Sequence, residues 1–243
     1  MLSQAVLALI LAAAPALAIP PPIFGLPVSD YDAELSVAYT LEGNTTVVQA
    51  GTLLGANITQ TQPVIALDPT RYPSVAAYTG QYVVVMVDPD STSPDNPINR
   101  FILHWLAPNM TQGSAGAACA STPSGSQAAA AAGLGLVQLS NATENFTPYR
   151  PPGPAFNSSA HRYILYAFRQ PDDFAIPAEF DTYAGGVNRA HFDLPTFIEL
   201  AGLGNPAAAE YMYVSRQPAV PGDFVALPGG QFPGGNGNAI FAV

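Results

Sequence analysis

The sequence contains no lysine, and only 10% of its 243 residues are charged. Seven arginines stand against seventeen acidic residues, so the formal net charge is −10 at pH 7. A chain with this charge repels the phosphate backbone of nucleic acids and the anionic surface of membranes, which makes both poor candidates for a partner. Any site for an anion must therefore be local, built from a few arginines, histidines and backbone N–H groups.

Cysteine and histidine are also scarce. Cys119 is the only cysteine, so no intramolecular disulfide can form, and the alanine-, glycine- and serine-rich sequence around it contains no histidine to act as a base. None of the three histidines is spaced His-x-x-x-His, the pattern of zinc-enzyme helices. A Gly-x-Ser-x-Gly motif, the nucleophile elbow of many esterases, is absent as well. We therefore predict that the protein is not an enzyme and requires neither cofactor nor metal.

The amino-terminal segment has the pattern of a secretory signal peptide. Residues 5–14 are apolar, Pro15 ends the run, and Ala16-Leu17-Ala18 supplies a small-x-small cleavage site. No later segment reaches the ~18 apolar residues that a transmembrane helix needs. Six Asn-x-Ser/Thr sequons fit an extracellular compartment: Asn44, Asn57, Asn109, Asn141, Asn145 and Asn157. We expect a secreted glycoprotein from which residues 1–18 are removed.

Three apolar segments predict the centre of the fold. Residues 82–87 form a continuous β-branched run, and residues 101–107 and 163–168 are similar in length and character. Turn-rich sequence separates them, which favours a mostly β fold. One clear helix is predicted, with Asp193 as its N-cap and Gly204 as its stop.

Composition divides the rest of the chain. Residues 113–135 are dominated by alanine, glycine and serine, which predicts a low-complexity surface insertion. Residues 228–243 form a tail rich in glycine and proline. We therefore expect a signal peptide at 1–18, one domain at 19–227 that carries the insertion, and this tail.

The polar residues that could bind a ligand or take part in catalysis lie at or near the predicted strands. Asp88 and Asp90 follow the first strand, His104 lies within the second, and His161 precedes the third. An imidazole in an apolar strand must find polar partners, so His104 is either a satisfied core residue or a functional one. The two aspartates either cap a turn or take part in chemistry. These residues alone do not decide between the alternatives.

Three sequence blocks, taken together and in order, favour a functional role for these residues. Residues 82–106 contain Tyr-Val-Val-Val-Met-Val-Asp-Pro-Asp and end on His-Trp-Leu. Residues 149–163 contain a Gly/Pro-rich turn and end on His-Arg-Tyr, and residues 189–209 run from Arg-Ala-His-Phe-Asp to Leu-Gly-Asn-Pro-Ala-Ala-Ala. Together, over about residues 60–215, they resemble the phosphatidylethanolamine-binding protein family.

This resemblance implies a single-domain β-sandwich with a few peripheral helices and a small cavity that binds phosphate-like groups. Matching the motifs position by position implies that the cavity is lined or walled by Asp88, Asp90, His104, Gly153, Pro154, His161 and Tyr163. Imidazoles and backbone N–H groups can donate to phosphate oxygens, and the aspartates can orient the imidazoles or meet an ammonium headgroup. Neighbouring side chains of a strand point to opposite faces, so Arg162 should point away from His161. We therefore expect Arg162 to form an ion pair with an aspartate and not to contact the ligand.

Three functions follow from these observations. The first is a secreted, non-enzymatic binding protein for phosphate-bearing phospholipid headgroups or other small anions. The alternative is an inhibitor of a secreted or vacuolar serine protease such as a carboxypeptidase, as a relative in the family is. A hydrolase that uses the Asp/His cluster is a third hypothesis, which the missing nucleophile motif disfavours.

Overall fold

The computed structural model describes residues 31–94, 96–113, 135–155 and 158–216. The predicted signal peptide at 1–18, residues 114–134 of the insertion, the tail at 228–243, Cys119 and Asn157 lie outside these residues. The described part is mostly β, as predicted.

Ten strands of the described residues make up the sheet. They are β1 (Ala33–Glu34), β2 (Ser36–Leu41), β3 (Asn44–Val47), β4 (Thr52–Gly55), β5 (Val64–Leu67), β6 (Tyr82–Asp88), β7 (Ile102–Gln112), β8 (Val137–Ser140), β9 (His161–Arg169) and β10 (Pro206–Ser215). They hydrogen-bond in the order β1-β10-β9-β6-β7-β8-β5-β2-β3, and β4 pairs with β10 outside this path. The sheet curls into a half-barrel, so that side chains from its two halves share one core.

The two faces of β6 explain why every residue of this strand before Asp88 is apolar. All seven residues of this strand are buried. Val84 and Met86 belong to the core enclosed by the curled sheet, whereas Val83, Val85 and Val87 belong to a second core on the outer face. Side chains alternate along a strand, so a strand covered on both faces needs apolar residues at every position. Burial of each such side chain contributes about 1.5–3 kcal/mol.

The described residues form three helical segments, α1 (Pro73–Ala76), a 3₁₀ segment (Ala178–Gly186) and α2 (Leu194–Leu200). Val75 of α1 packs into the core enclosed by the curled sheet, whereas the 3₁₀ segment and α2 cover the outer face. Asp193 caps α2 as predicted, because its Oδ1 accepts a hydrogen bond from the Thr196 backbone N–H at 3.2 Å. Phe197 and Ile198 of α2 pack into the second core. Among the described residues, no helix has the length and apolar character to cross a membrane.

Candidate functional site

The sheet topology brings three strand ends together. β6 runs antiparallel to both β7 and β9, with Asp88 opposite Ile102 and Val87 opposite Ile164. The carboxyl end of β6 therefore lies beside the amino ends of its two neighbours. This register places Asp88 next to His161, although 73 positions separate the two residues in the chain.

Asp88 and His161 form the centre of the site. The Nδ1 atom of His161 lies 2.9 Å from Asp88 Oδ2, and the other carboxylate oxygen, Oδ1, accepts a hydrogen bond from the backbone N–H of Asp90 at 2.8 Å. On the other side of the ring, His161 Nε2 lies 2.9 Å from the Ser158 hydroxyl oxygen. His161, Asp88 and Ser158 are all buried, so the imidazole has a polar partner at each nitrogen.

His104 reaches the site through an irregularity in β7. Met86 pairs with Trp105 and Val87 pairs with Leu103, so His104 is the extra residue of a β-bulge. Such a bulge re-aims a side chain that regular pleating would point elsewhere. His104 Nδ1 lies 2.8 Å from the carbonyl oxygen of Arg150, and since a carbonyl only accepts, this nitrogen carries the proton.

Burial makes His104 a neutral residue at ordinary pH. It lowers the pKa of His104 to about 4, against the opposing effect of the Asp88 carboxylate. The ring is 4% exposed and packs edge-on against Tyr163, with ring centroids 5.0 Å apart. Burial, and next the charge of Asp88, also raise the pKa of the Tyr163 hydroxyl well above its usual value, so this hydroxyl stays protonated.

Asp90, which was expected to line the cavity, is not among its lining residues and faces Arg162. The Arg162 backbone N–H and Nε donate to Asp90 Oδ2 at 2.8 and 2.6 Å, and Arg162 Nη2 contacts Oδ1. Asp90 is 1% exposed, and its carboxylate is turned towards this partner. The expected pairing of Arg162 with an aspartate is confirmed. It occupies both carboxylate oxygens and withdraws them from a ligand.

The cavity beside His161 has a volume of about 410 Å³. It is lined by Gln60, Asp88, Ser91, Thr92, Ile102, His104, Arg150, Pro151, Pro152, Gly153, Ala155, His161, Tyr163 and Arg216. The structure thus brings five of the seven predicted residues to one cavity, and Gly153 forms part of the wall as expected. Pro154, the other residue expected in the wall, is buried and is not among the lining residues.

Sequence reasoning missed two arginines. Arg150 and Arg216 line the cavity, and neither forms an ion pair with a carboxylate of the described residues. Arg150 belongs to the turn that was expected to wall the cavity, so its position was within reach of the sequence. The position of Arg216 could not be predicted from the sequence, because it depends on the pairing of Val214 in β10 with His161 in β9.

Arg189 holds the surrounding backbone in place. The three nitrogens of its guanidinium group donate to four carbonyl oxygens. Nη1 donates to those of Leu103 and His104 at 3.0 Å, Nη2 to that of Pro148 at 2.8 Å and Nε to that of Gly186 at 3.2 Å. These carbonyls come from β7, from the segment before Arg150 and from the 3₁₀ segment. One side chain therefore ties the strand that carries His104 to the chain that leads into the cavity wall.

Comparison with known proteins is consistent with the sequence blocks. The family profile described as phosphatidylethanolamine-binding protein matches residues 31–210. The chain belongs to the phosphatidylethanolamine-binding protein family. It is 29% identical over 187 residues to Phomoidride biosynthesis cluster protein N of Talaromyces stipitatus, covering 73% of this chain and 83% of that one. It is 32% identical over 138 residues to Protein TWIN SISTER of FT of Arabidopsis thaliana, covering 56% of this chain and 59% of that one.

Among solved structures, the fold is similar to that of carboxypeptidase Y inhibitor, determined in complex with its cognate proteinase. The TM-score is 0.53 at 16% sequence identity, and the match covers 76% of this chain and 84% of that one. At this identity the likeness shows the common fold. Members of the phosphatidylethanolamine-binding protein family are generally non-enzymatic regulators or inhibitors.

The predicted glycosylation sites differ in their surroundings. Asn44 and Asn57 are exposed, whereas Asn109, Asn141 and Asn145 are half-buried. Asn141 Nδ2 donates to Asn145 Oδ1 at 3.0 Å, and both residues line a second, larger cavity of about 870 Å³. Glycosylation stays a prediction, and Asn44 and Asn57 are the acceptors that leave most room for a sugar.

Proposed function

We propose that the protein is an exported binding protein whose Asp88–His161 cavity takes a small anion, such as the phosphate group of a phospholipid headgroup. The observation that carries this proposal is the presence of Arg150 and Arg216 at the cavity. Neither is paired with a carboxylate of the described residues, although the chain has more than two acids for every arginine. Unpaired guanidinium groups in an acidic protein supply the local positive charge that an anion needs.

The arginines supply the donors to an anion that the sequence alone assigned to the imidazoles. His104 is neutral near pH 7 because its pKa is about 4, so it brings no charge to an anion. With its proton on Nδ1, its Nε2 is an acceptor. That atom can accept from a protonated phosphate oxygen or an ammonium group. The cavity therefore offers donors at the arginines and acceptors at His104 and Asp88, which suits a ligand of mixed polarity such as phosphoethanolamine.

Titration calorimetry with sulfate and with phosphoethanolamine tests this function. Arg150→Gln and Arg216→Gln should each weaken sulfate binding about tenfold or more, since a charge-assisted hydrogen bond contributes about 1.5–3 kcal/mol. Arg71→Gln is the matched control, because Arg71 pairs with Glu34 at 2.6 Å and does not line this cavity. Wild-type affinity in both cavity variants would contradict the proposal.

Export is part of the same proposal and has its own test. The apolar segment at 5–14 and the site after Ala18 support it. Mass spectrometry of native protein should find an amino terminus at Ile19 and no peptide that contains Met1. Recovery of an intact Met1 from protein made in its own source would contradict export.

Inhibition of a serine protease is the second candidate. Its support is the fold shared with carboxypeptidase Y inhibitor, which was solved on its proteinase. Carboxypeptidase Y activity, measured at increasing molar ratios of the protein, decides the matter directly. A stoichiometric loss of activity supports an inhibitor, and unchanged activity at a large excess removes this enzyme as a target.

A further inference from the structure

A hydroxyl group completes the Asp88–His161 pair. Ser158 lies three positions before His161, and its backbone N–H donates to the Ala155 carbonyl at 3.0 Å. Its Oγ lies 2.9 Å from His161 Nε2, within the ~2.6–3.2 Å expected between a nucleophile and its base. The same ring binds Asp88 through Nδ1, also at 2.9 Å. Carboxylate, imidazole and hydroxyl thus stand in one hydrogen-bonded line.

The donors and acceptors in this line follow from chemistry. The Asp88 carboxylate receives the Asp90 backbone N–H on one oxygen, so it acts as an acceptor and His161 Nδ1 donates to the other. In the neutral ring the proton is then on Nδ1, and Nε2 has a free lone pair. In this neutral form of the ring, the Ser158 hydroxyl donates to Nε2. This is the resting arrangement of a Ser-His-Asp triad, in which the aspartate fixes the tautomer that accepts the serine proton.

We propose that Ser158 is an activated nucleophile, with His161 as its general base and Asp88 as the residue that orients the base. This role goes beyond the proposed binding of anions, and it gives this member of the family an acyl-transfer activity. Sequence analysis missed it because the serine is not in a Gly-x-Ser-x-Gly elbow. Such triads are recognised by geometry and roles rather than by sequence position.

The reaction is written for a small ester. Ser158 Oγ forms a bond to the acyl carbon while its proton moves to His161 Nε2, and the carbonyl electron pair moves to oxygen. Collapse of this intermediate breaks the bond to the leaving alcohol, which takes the proton from Nε2. A water molecule then attacks the acyl-serine by the same route, releases the carboxylic acid and restores the Ser158 hydroxyl. No redox step or cofactor is needed.

The neighbouring cavity indicates the substrate class. His161 and Ala155 line it, so Ser158 is hydrogen-bonded to two residues of its wall. Arg150 and Arg216 line the same space, and their charges favour a negatively charged substrate and the oxyanion that forms on the acyl oxygen. We therefore infer that the substrate is a small ester with an anionic group.

Labelling with a fluorophosphonate probe tests the nucleophile without knowledge of the natural substrate. Intact-mass analysis of the full protein should show one adduct, and peptide mapping should place it on Ser158. Ser158→Ala should reduce labelling to the background of denatured protein. Asp88→Asn keeps the shape but disturbs the tautomer, so labelling should slow about 10²–10⁴-fold, the usual contribution of a general base.

Ser159→Ala is the matched control, because Ser159 is the adjacent serine and is also buried. It should label as fast as wild type. If Asp88→Asn fails to fold, Ser158→Cys in a Cys119→Ser background replaces it, and the new thiol should react with iodoacetamide faster than a free cysteine. An unlabelled wild type, an adduct on another residue, or equal labelling of Ser158→Ala would overturn the proposal.

The two proposals fail separately. Loss of fluorophosphonate labelling leaves the anion titrations with Arg150→Gln and Arg216→Gln untouched. Conversely, normal sulfate binding by both arginine variants removes the proposed function but does not affect an adduct mapped to Ser158.

Discussion

Glu210 offers the sharpest test of the energetics of this fold. It lies in β10, is 4% exposed, and accepts a hydrogen bond from the Tyr211 backbone N–H at 2.7 Å. Burial raises the pKa of its carboxyl group from 4.5 to about 8, the Tyr211 N–H opposes this rise, and the charge of Glu34 adds to it. Glu210 is therefore a largely protonated acid in the folded protein near pH 7.

The sign of its effect on stability follows from linkage. The folded state binds the proton more tightly than the unfolded chain, so the contribution is fully present below about pH 4.5 and is lost as pH rises towards 8. Each pH unit in this window is worth about 1.4 kcal/mol, and the two titration curves together give about 3.5 kcal/mol between pH 5 and pH 8. Glu210→Gln removes this titration, because the amide stays neutral.

Urea unfolding at pH 5 and pH 8 measures the effect. The decrease in unfolding free energy between the two pH values should be about 3.5 kcal/mol smaller for Glu210→Gln than for wild type. Glu199→Gln is the control, since Glu199 lies on the exposed face of α2 and its substitution should leave the decrease unchanged. If Glu210→Gln and wild type lose the same free energy, the buried carboxyl is ionised in the folded protein and the reasoning is wrong.

Three further predictions concern other parts of the molecule. Arg162→Met should lower the free energy of unfolding by about 3–5 kcal/mol, because it leaves the Asp90 carboxylate buried without its partner; a loss below about 1 kcal/mol in urea would contradict this. Asp193→Ala should cost about 1 kcal/mol, since α2 loses its N-cap, and thermal unfolding should show a lower midpoint. In a eukaryotic secretory host, Asn44→Gln and Asn57→Gln should each increase gel mobility, and unchanged bands would show that these sequons are unused.

The central strands were predictable because each one is marked by a continuous apolar segment of the sequence. The apolar segments at 82–87, 101–107 and 163–168 correspond to β6, β7 and β9, and β7 continues five residues further than expected. β1, β3 and β4 have only two to four residues each, too few to show a period. Their positions depend on partners elsewhere in the chain, which a single sequence does not reveal.

The site was predicted from resemblance, and the structure differs from that prediction where the register of the strands decides which residue reaches the cavity. Asp88, His104 and His161 are in the cavity, but the place of His104 depends on a bulge that no local pattern announces. Asp90 looked equivalent to Asp88, yet two positions along a turn were enough to direct it to Arg162. No sequence motif marks Ser158 as functional. Its role becomes visible only in the structure, where its hydroxyl lies within hydrogen-bond distance of the His161 imidazole.

The topology of β10 has a consequence for the order in which the molecule can form. This strand is the last one described, yet its partners include β1 and β4, and Ala33 pairs with Ala208 about 175 positions later. A ribosome delivers β4 long before its partner exists, whereas β2 and β3 can pair at once as a hairpin. In an exported chain, Asn57, two residues after β4, would thus stay in unfolded polypeptide within reach of the glycosyl transferase long after Asn44 had entered its hairpin.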